Sequence, residues 1–358
     1  MKRILVPGAG GSPTTNFVRS LRAASEKFYL VGTDCSKFYI MRAETDENHL
    51  VPRANEADYF DIMNDIIDET KAEFMHIQND VEMRILSRNR EKLRINKFLP
   101  TKKTVEVCLD KLESYKHWKA AGIKQPETKL LRNEEDLKEA FEEFGNKIWI
   151  RDTSGAGGSG SIAVSNFQIA KSWTDFKGGW GIYTAAECLK EQSITWQSIW
   201  KEGELVVAQT RKRLYWELSK LAPSGISGAT GTGITVSDEV VDEIAQKAIF
   251  AIDKNPNGIF SVDLTYDNEG VPNPTEINIG RFFTTHEFFT RAGLNMPYIL
   301  VKLVYNEKLP DMPKKLNPLK NDLAWIRGMD FVPIFTDMKS IEENVKKLEQ
   351  RRKKLHRK

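Results

Sequence analysis

The stretch Ile259-Phe260-Ser261-Val262-Asp263-Leu264-Thr265-Tyr266, then Asp267-Asn268-Glu269-Gly270, then Thr275-Glu276-Ile277-Asn278-Ile279, decides how the 358-residue chain is read. Side chains of a strand alternate between two faces. Phe260, Val262, Leu264 and Tyr266 therefore share an apolar face, and Asp263 shares the opposite one with Ser261 and Thr265. Asp-Asn-Glu-Gly supplies turn chemistry. On the returning strand Ile277 and Ile279 fall on the apolar side, Glu276 and Asn278 on the polar side. If the two strands pair, Asp263, Glu276 and Asn278 meet on one surface. All three offer hard oxygen ligands, the type that suits Mg2+ held together with phosphate groups. Any solvated hairpin shows the same alternation, so the rest of the chain has to decide.

Upstream, residues 147–151 read as a strand that ends on Arg151 and runs into Ser154-Gly155-Ala156-Gly157-Gly158-Ser159-Gly160. A cation at a strand end, beside a loop of backbone N–H groups, can cradle phosphate oxygens. The loop lacks the Gly-Lys-Ser/Thr ending of a P-loop. Strand-like runs on both sides (147–151 and 161–164) speak against a surface linker. The first hundred residues alternate strand and helix: Ile4-Leu5-Val6, a helix from about Pro13, a strand over 29–33 ending at Asp34, a helix over 57–70, a strand over 74–77 and a helix over 81–93. That alternation predicts a parallel, doubly wound sheet. From Pro100 the pattern changes to one long helix over 104–121, another over 134–144, strands over 182–186, 195–200 and 205–210, and a helix over 238–252. This half reads as α+β with mainly antiparallel strands.

Taken in order, these elements resemble the ATP-grasp superfamily, particularly its carbamoyl-phosphate-synthase-like members and related carboxylate–amine ligases, from residue 1 to about residue 305. Four groups of residues carry the resemblance. They are Asp110-Lys111 with Ala121-Gly122-Ile123 and Pro126; Lys147-Ile148-Trp149-Ile150-Arg151 with the glycine loop; Ala186-Glu187-Cys188-Leu189; and Asp263 with Glu276-Ile277-Asn278. The resemblance implies an α/β N-terminal pre-ATP-grasp (Rossmann-like) domain over 1–100 and an α+β ATP-grasp domain of two subdomains over 101–182 and 183–310. A C-terminal extension with a basic tail follows over 311–358. It implies an ATP-dependent ligase in which a carboxylate becomes an acyl phosphate and an amine displaces the phosphate, with ATP and Mg2+ as cofactors.

The same resemblance assigns roles. Lys111, Arg151, Gly157 and Gly158 would contact the phosphates; Glu187, Cys188 and Leu189 the adenine; and Glu191 or Ser193 the ribose. Asp263, Glu276 and Asn278 would hold one or two Mg2+ ions, and Arg151 and Arg281 would neutralise charge during the transfer. One departure stands out. The family's metal strand ends Glu-x-Asn-Pro-Arg, whereas this one reads Glu276-Ile277-Asn278-Ile279-Gly280-Arg281. A bulge at the extra glycine brings Arg281 back to the site or turns it away. Three rivals stay open: phosphorylation of carbamate or bicarbonate, as in half of a carbamoyl-phosphate synthase; a nucleotide-binding regulator without turnover; and a dinucleotide enzyme using Gly8-x-Gly10 and Asp34. The last is disfavoured because Pro13 stands at the third glycine position of that fingerprint.

Composition narrows partners and compartment. A net charge of +3 gives no preference for a polyanion, and no apolar run reaches the length of a membrane span. The N-terminus meets Pro7 and Gly8 too early for a signal peptide. Cys35, Cys108 and Cys188 are scattered, which fits neither a disulfide framework nor a thiolate cluster and points to a reducing cytoplasm. Arg211-Lys212-Arg213 with Tyr215 and Trp216 reads as strand residues of the smaller subdomain, and 346–358 as a solvated helix end, in preference to a nucleic-acid surface. His286 reads as a structural histidine in preference to a cleft residue. Small-molecule carboxylate and amine substrates are the expected partners, and a homo-oligomer is compatible with the sequence.

Overall fold

The structure is a computed structural model that describes residues 1–155, 158, 160–190, 192–225 and 229–355. Apolar runs such as Ile4-Leu5-Val6 are covered on both faces and so become inner strands of a parallel sheet. The first sheet contains β1 (Arg3–Pro7), β2 (Tyr29–Asp34), β3 (Glu47–Leu50), β4 (Phe74–Met75) and β5 (Asn96–Lys97). It is parallel throughout, in the order β3-β2-β1-β4-β5. Its helices are α1 (Ser12–Arg22), α2 (Tyr59–Thr70) and α3 (Asp80–Arg88). The doubly wound pattern is as expected, with two strands added at its edges, β3 and β5. Glu47-Asn48-His49-Leu50 carries no apolar alternation because it is an edge strand.

The single helix expected over 104–121 is two, α4 (Lys102–Cys108) and α5 (Lys111–Ala120). Asp110 makes the break: its Oδ1 accepts from the backbone N–H groups of Leu112 at 2.9 Å and Glu113 at 3.1 Å, starting a new helix. Lys111 is thereby placed on the first turn of α5.

A small antiparallel sheet follows, formed by β6 (Thr128–Leu130), β7 (Ile148–Asp152), β8 (Ile162–Val164) and β9 (Tyr183–Glu187) in the order β6-β9-β7-β8. Leu137 of α6 (Glu134–Phe144) and Ala170 of α7 (Phe167–Phe176) close its core. β9 belongs to this sheet, although the expected grouping put 183–310 together. The large antiparallel sheet contains β10 (Ser193–Lys201), β11 (Glu204–Trp216) and β12 (Thr230–Val236), then, after α8 (Glu239–Ile252), β13 (Gly258–Tyr266) and β14 (Pro272–Ile279). α9 (Glu287–Arg291) and α10 (Met296–Val304) then pack against α1. β15 (Ala324–Ile326) adds to β12, giving the order β14-β13-β10-β11-β12-β15. Ile194, Trp196, Val262, Leu264, Ile277 and Ile279 form the apolar face against Val241, Ala245, Ala248 and Ile249 of α8. Truncating a buried residue such as Trp196 to Ala costs about 3–5 kcal/mol, so this packing fixes which face of the sheet is left for chemistry.

The basic tail is not the solvated helix end expected of it. α11 (Met338–Leu355) folds back on the first domain, where Leu348 is buried. There Arg351 pairs with Asp65 at 2.5 Å and Arg352 with Asp58 at 2.7 Å and Glu56 at 2.8 Å. The acidic side chains of α2 and the loop before it answer the positive charge, a long-range match invisible to local pattern.

Candidate active site

The polar face of the large sheet collects the predicted residues. Cross-strand register places Glu276, Asp263, Thr195, Arg211 and Thr235 in one row across β14, β13, β10, β11 and β12. Asp263 stands directly opposite Glu276, as alternation predicted, and Asn278 stands opposite Ser261 on the same face. The register slips between Asp263 and Leu264, leaving Thr275 as the extra residue of a bulge. The bulge turns the Thr275 carbonyl toward the small sheet, where Arg151 of β7 donates to it at 2.9 Å. Arg151 therefore spans the cleft between the two sheets. Lys111 Nζ does the same from α5, lying 3.5 Å from Glu276 Oε2 and donating to the Gly155 carbonyl at 2.5 Å.

Asp263 accepts from Thr195 Oγ1 at 2.5 Å and Asn278 Nδ2 at 3.0 Å, with the Arg213 guanidinium 3.9 Å away. Burial drives the titration of the pair. It pushes Asp263 above the ordinary carboxylate range, helped by the charge on Glu276 and opposed by Arg213. Burial acts the same way on Glu276, but Lys111, Arg151 and Arg281 outweigh it and hold that carboxyl below the usual range. Glu276 is thus the more firmly ionised of the two.

Arg281 reaches the site despite the inserted glycine. Gly280 adopts φ +70°, and a Cβ there would lie 2.5 Å from Met83 Cε, so the turn requires glycine. The guanidinium donates to Asn278 Oδ1 at 2.5 Å and grips Asp80 with two bonds of 2.6 and 3.0 Å. No group of three His, Cys, Asp or Glu side chains able to hold a metal occurs among the described residues. A cation on this face would therefore have Asp263, Glu276 and the amide oxygen of Asn278 available to it. Its remaining positions fall to phosphate and water oxygens, the usual way Mg2+ is held, and the donor set fits. Because Asn278 Oδ1 also accepts from Arg281, a cation bound here would share that oxygen with the arginine.

The other expected residues divide. Gly158, with φ +71°, closes the glycine loop by accepting from Ser161 N at 3.2 Å and Ser161 Oγ at 2.9 Å. Gly157 and Glu191 lie outside the described residues. Cys188 and Leu189 lie half-buried in the connection from β9 to β10. The Glu187 carboxylate, at the end of β9, accepts from Glu127 N at 3.0 Å, where the chain enters β6. Ser193 Oγ accepts from Arg213. At the first-domain turn, Asp34 accepts from Gly10 N at 3.1 Å, and a Cβ on Gly10 would lie 2.0 Å from the Tyr39 carbonyl oxygen. The turn packs on its own domain, which removes the acidic acceptor a dinucleotide ribose would need. His286 is a structural residue, bonded to the Phe283 carbonyl at 2.8 Å and held by burial at about 3.

Three site neighbours escaped sequence reasoning. Asp80 follows the carboxyl end of a parallel strand, the edge where open α/β sheets bind ligands, and that rule could have flagged it. Arg211 and Arg213 sit two apart on β11, so alternation alone puts both on the polar face while Lys212 takes the other. They belong to the large sheet, and both are buried rather than displayed for nucleic acid.

No family model matches the sequence, and no curated protein sequence does. Solved structures do match. The biotin carboxylase domain of 2-oxoglutarate carboxylase from Hydrogenobacter thermophilus, a domain dimer in complex with MgADP, ADP and bicarbonate, superposes with a TM-score of 0.69 at 17% identity, over 90% of this chain and 73% of that one. N5-carboxyaminoimidazole synthetase from Staphylococcus aureus gives 0.65 at 14%, over 86% and 78%. L-amino acid ligase from Bacillus licheniformis gives 0.65 at 12%, over 85% and 74%. At these identities the likeness is one of fold: over most of its length the chain shares the fold of these three enzymes.

Proposed function

We propose that the protein is an ATP-dependent ligase that activates a carboxylate as an acyl phosphate for attack by an amine. The observation that carries this reading is the convergence of Lys111 from α5, Arg151 from β7 and Arg281 from the turn after β14 on the stretch from Thr275 to Asn278, beside Asp263. Support for the nucleotide comes from the MgADP bound to the structurally similar biotin carboxylase domain. Asp263, Glu276 and Asn278 would hold Mg2+, which when bound draws charge from the β- and γ-phosphates. Lys111 and Arg151 lie on the cleft side of Glu276 and are placed to hold phosphate oxygens. Arg281, fixed by Asp80, is placed to hold the oxygens of the acceptor carboxylate or of the phosphoryl group in transfer.

In the reaction a carboxylate oxygen bonds to the γ-phosphorus as the bond to the bridging oxygen breaks and ADP leaves. The amine nitrogen then bonds to the acyl carbon, phosphate departs with the bonding electrons, and the nitrogen releases a proton. No helix among the described residues is long and apolar enough to cross a membrane, and the scattered thiols favour the cytoplasm as the proposed location. The test is incubation with Mg2+, ATP and pooled carboxylates and amines. ADP and phosphate release that depends on both pools supports the ligase; tight nucleotide binding without release from any pool overturns it.

A further inference from the structure

Beyond Asp263 the polar face turns from acidic to basic, and nothing in the proposed transfer uses that end. Three guanidiniums gather around Thr230. Arg211 Nη1 donates to its Oγ1 at 3.1 Å, Arg213 Nε to the same oxygen at 2.9 Å, and Arg327 Nη1 to its carbonyl at 3.4 Å. Arg211 is 2% exposed. Its remaining bonds run to Thr285 Oγ1 at 2.9 Å and Thr195 Oγ1 at 2.7 Å, so among the described residues it is bonded to hydroxyls alone. Room for its side chain comes from Gly233, where a Cβ would lie 2.9 Å from Arg211 Cδ. Arg213 lies flat on Trp216, 3.5 Å from the ring centre, with its edge turned to Ser193, Thr195 and Thr230. Arg327 pairs with Asp330 at 2.5 Å, and Asp330 is bonded to Asn16 of α1 at 3.4 Å. The cluster thus lies where the first domain meets the large sheet. Arg211 Nε, Arg327 Nε and Asn16 Oδ1 are buried there without a hydrogen-bond partner among the described residues.

A buried cation is normally paired with an anion, because hydroxyl dipoles replace only part of its hydration. Asp330 answers one of the three charges. Asp263 answers another only while it is not bound to a cation. Two positive charges are then left over at the inner end of the cleft. The geometry points to Arg213 and Arg327, backed by the buried Arg211, as the binding site for a doubly negative group on the substrate acid: a phosphate ester or a pair of carboxylates. Arg213 and Arg327, with side chains 7% and 9% exposed, keep the residual access to the cleft, and Arg211 supplies charge from behind. Recognition by planar guanidiniums favours oxygens presented two at a time. This inference rests on the ligase reading for its account of the reaction, but the binding site stands on the cluster itself.

The experiment is equilibrium binding to the full chain at fixed ionic strength, with glycerol 3-phosphate, succinate and acetate as probes, and MgADP titrated separately. At least one of the two dianions should bind about tenfold more tightly than acetate, and Arg213→Gln should weaken that dianion about tenfold while changing MgADP less than about twofold. Whichever dianion binds more tightly identifies the group as a phosphate ester or a dicarboxylate. Acetate binding as tightly as both dianions, or no binding of any of the three, overturns the site. So does an Arg213→Gln chain that binds the dianion unchanged. If Arg213→Gln weakens MgADP instead, the cluster serves the nucleotide and the inference is wrong. If the dianion binds and MgADP does not, the ligase reading fails and this site survives. Should Arg213→Gln not fold, the wild-type contrast between dianions and acetate decides by itself.

Discussion

The acidic and basic ends of one sheet face handle buried charge in opposite ways. At the acidic end charges meet their opposites across the fold: Lys111 faces Glu276 at 3.5 Å, and Arg281 holds Asp80 with two bonds. At the basic end Arg211 has three threonine hydroxyls and, among the described residues, no bonded carboxylate. Removing an ion from water costs several kcal/mol unless a partner compensates. The acidic end is therefore nearly balanced before any ligand arrives, whereas the basic end carries a deficit that a ligand's anion would relieve. The contrast separates groups whose charges already answer one another from groups whose charge is left for a ligand to answer.

The sharpest way to break the comparison is Glu276→Gln. It deprives Lys111 and Arg151 of their common carboxylate and takes one oxygen from the metal set. Substrate-dependent ADP release should fall about 10^3-fold, roughly 4 kcal/mol of barrier. Unchanged turnover would remove the acidic end from the chemistry altogether.

Acid comes next, because it acts beneath the basic end. Phe283 lies 4.4 Å from the Arg211 guanidinium, and its ring also borders His286. His286 and His76 are stacked among Phe17 and Phe282, and burial holds both at about 3. Unfolded histidines take up protons near 6.5, so the native state binds fewer protons below that pH. The stability from these two groups is complete above about pH 6.5 and is lost as pH falls toward 3, at up to about 1.4 kcal/mol per unit for each. Between pH 7 and pH 5 the urea midpoint should drop by the equivalent of about 4 kcal/mol. His286→Gln should remove roughly half of that drop. A midpoint that does not move, or that rises on acidification, contradicts the neutral stack.

Two single substitutions then measure the difference between the ends directly. Arg281→Ala leaves Asp80 without its partner and should destabilise by about 2 kcal/mol, below the loss for a fully buried pair because the Asp80 side chain is 26% exposed. Arg211→Met removes a cation with no bonded carboxylate and should stabilise by about 1 kcal/mol. Urea titrations at unchanged m-value report both. If Arg211→Met destabilises as much as Arg281→Ala, the deficit at the basic end does not exist.

What sequence could and could not foresee follows the same line. Alternation placed Asp263, Glu276 and Asn278 on one face because pairing of adjacent strands is a local affair. It could equally have placed Arg211 and Arg213, but their meaning depends on which charges stand opposite, and Asp263 arrives on another strand. Asp80 meets Arg281 across 201 positions, a contact that no periodicity encodes. The strand β11 extends to Trp216 through Arg-Lys-Arg-Leu-Tyr-Trp. These residues read as strand in the sequence, but the burial of the arginines did not, because it depends on hydroxyls of β10 and β12. The clasp of α11 on α2 was hidden for the same reason: a run of basic residues has no local sign that acidic partners wait elsewhere.

The smallest effect sharpens the acidic end. Asp110 was legible as part of a motif but not as a helix start, and the helix break it makes is what aims Lys111. Asp110→Ala removes two capping bonds and should cost about 1 kcal/mol. Lys111 is also tied through its backbone N–H to the Thr153 carbonyl at 2.8 Å. The question is whether helix start or strand connection sets its position. If the cap does, MgADP should bind about threefold more weakly to Asp110→Ala, while Asp110→Asn, which keeps an acceptor at the same place, should restore both stability and affinity. Anion binding at Arg213 should be untouched by either, since among the described residues the hydrogen bonds of Arg211, Arg213 and Arg327 run to partners outside α5. A chain that loses stability yet binds MgADP normally would mean that Thr153 and the glycine loop hold Lys111, and that the acidic end is positioned from the small sheet rather than from the helix.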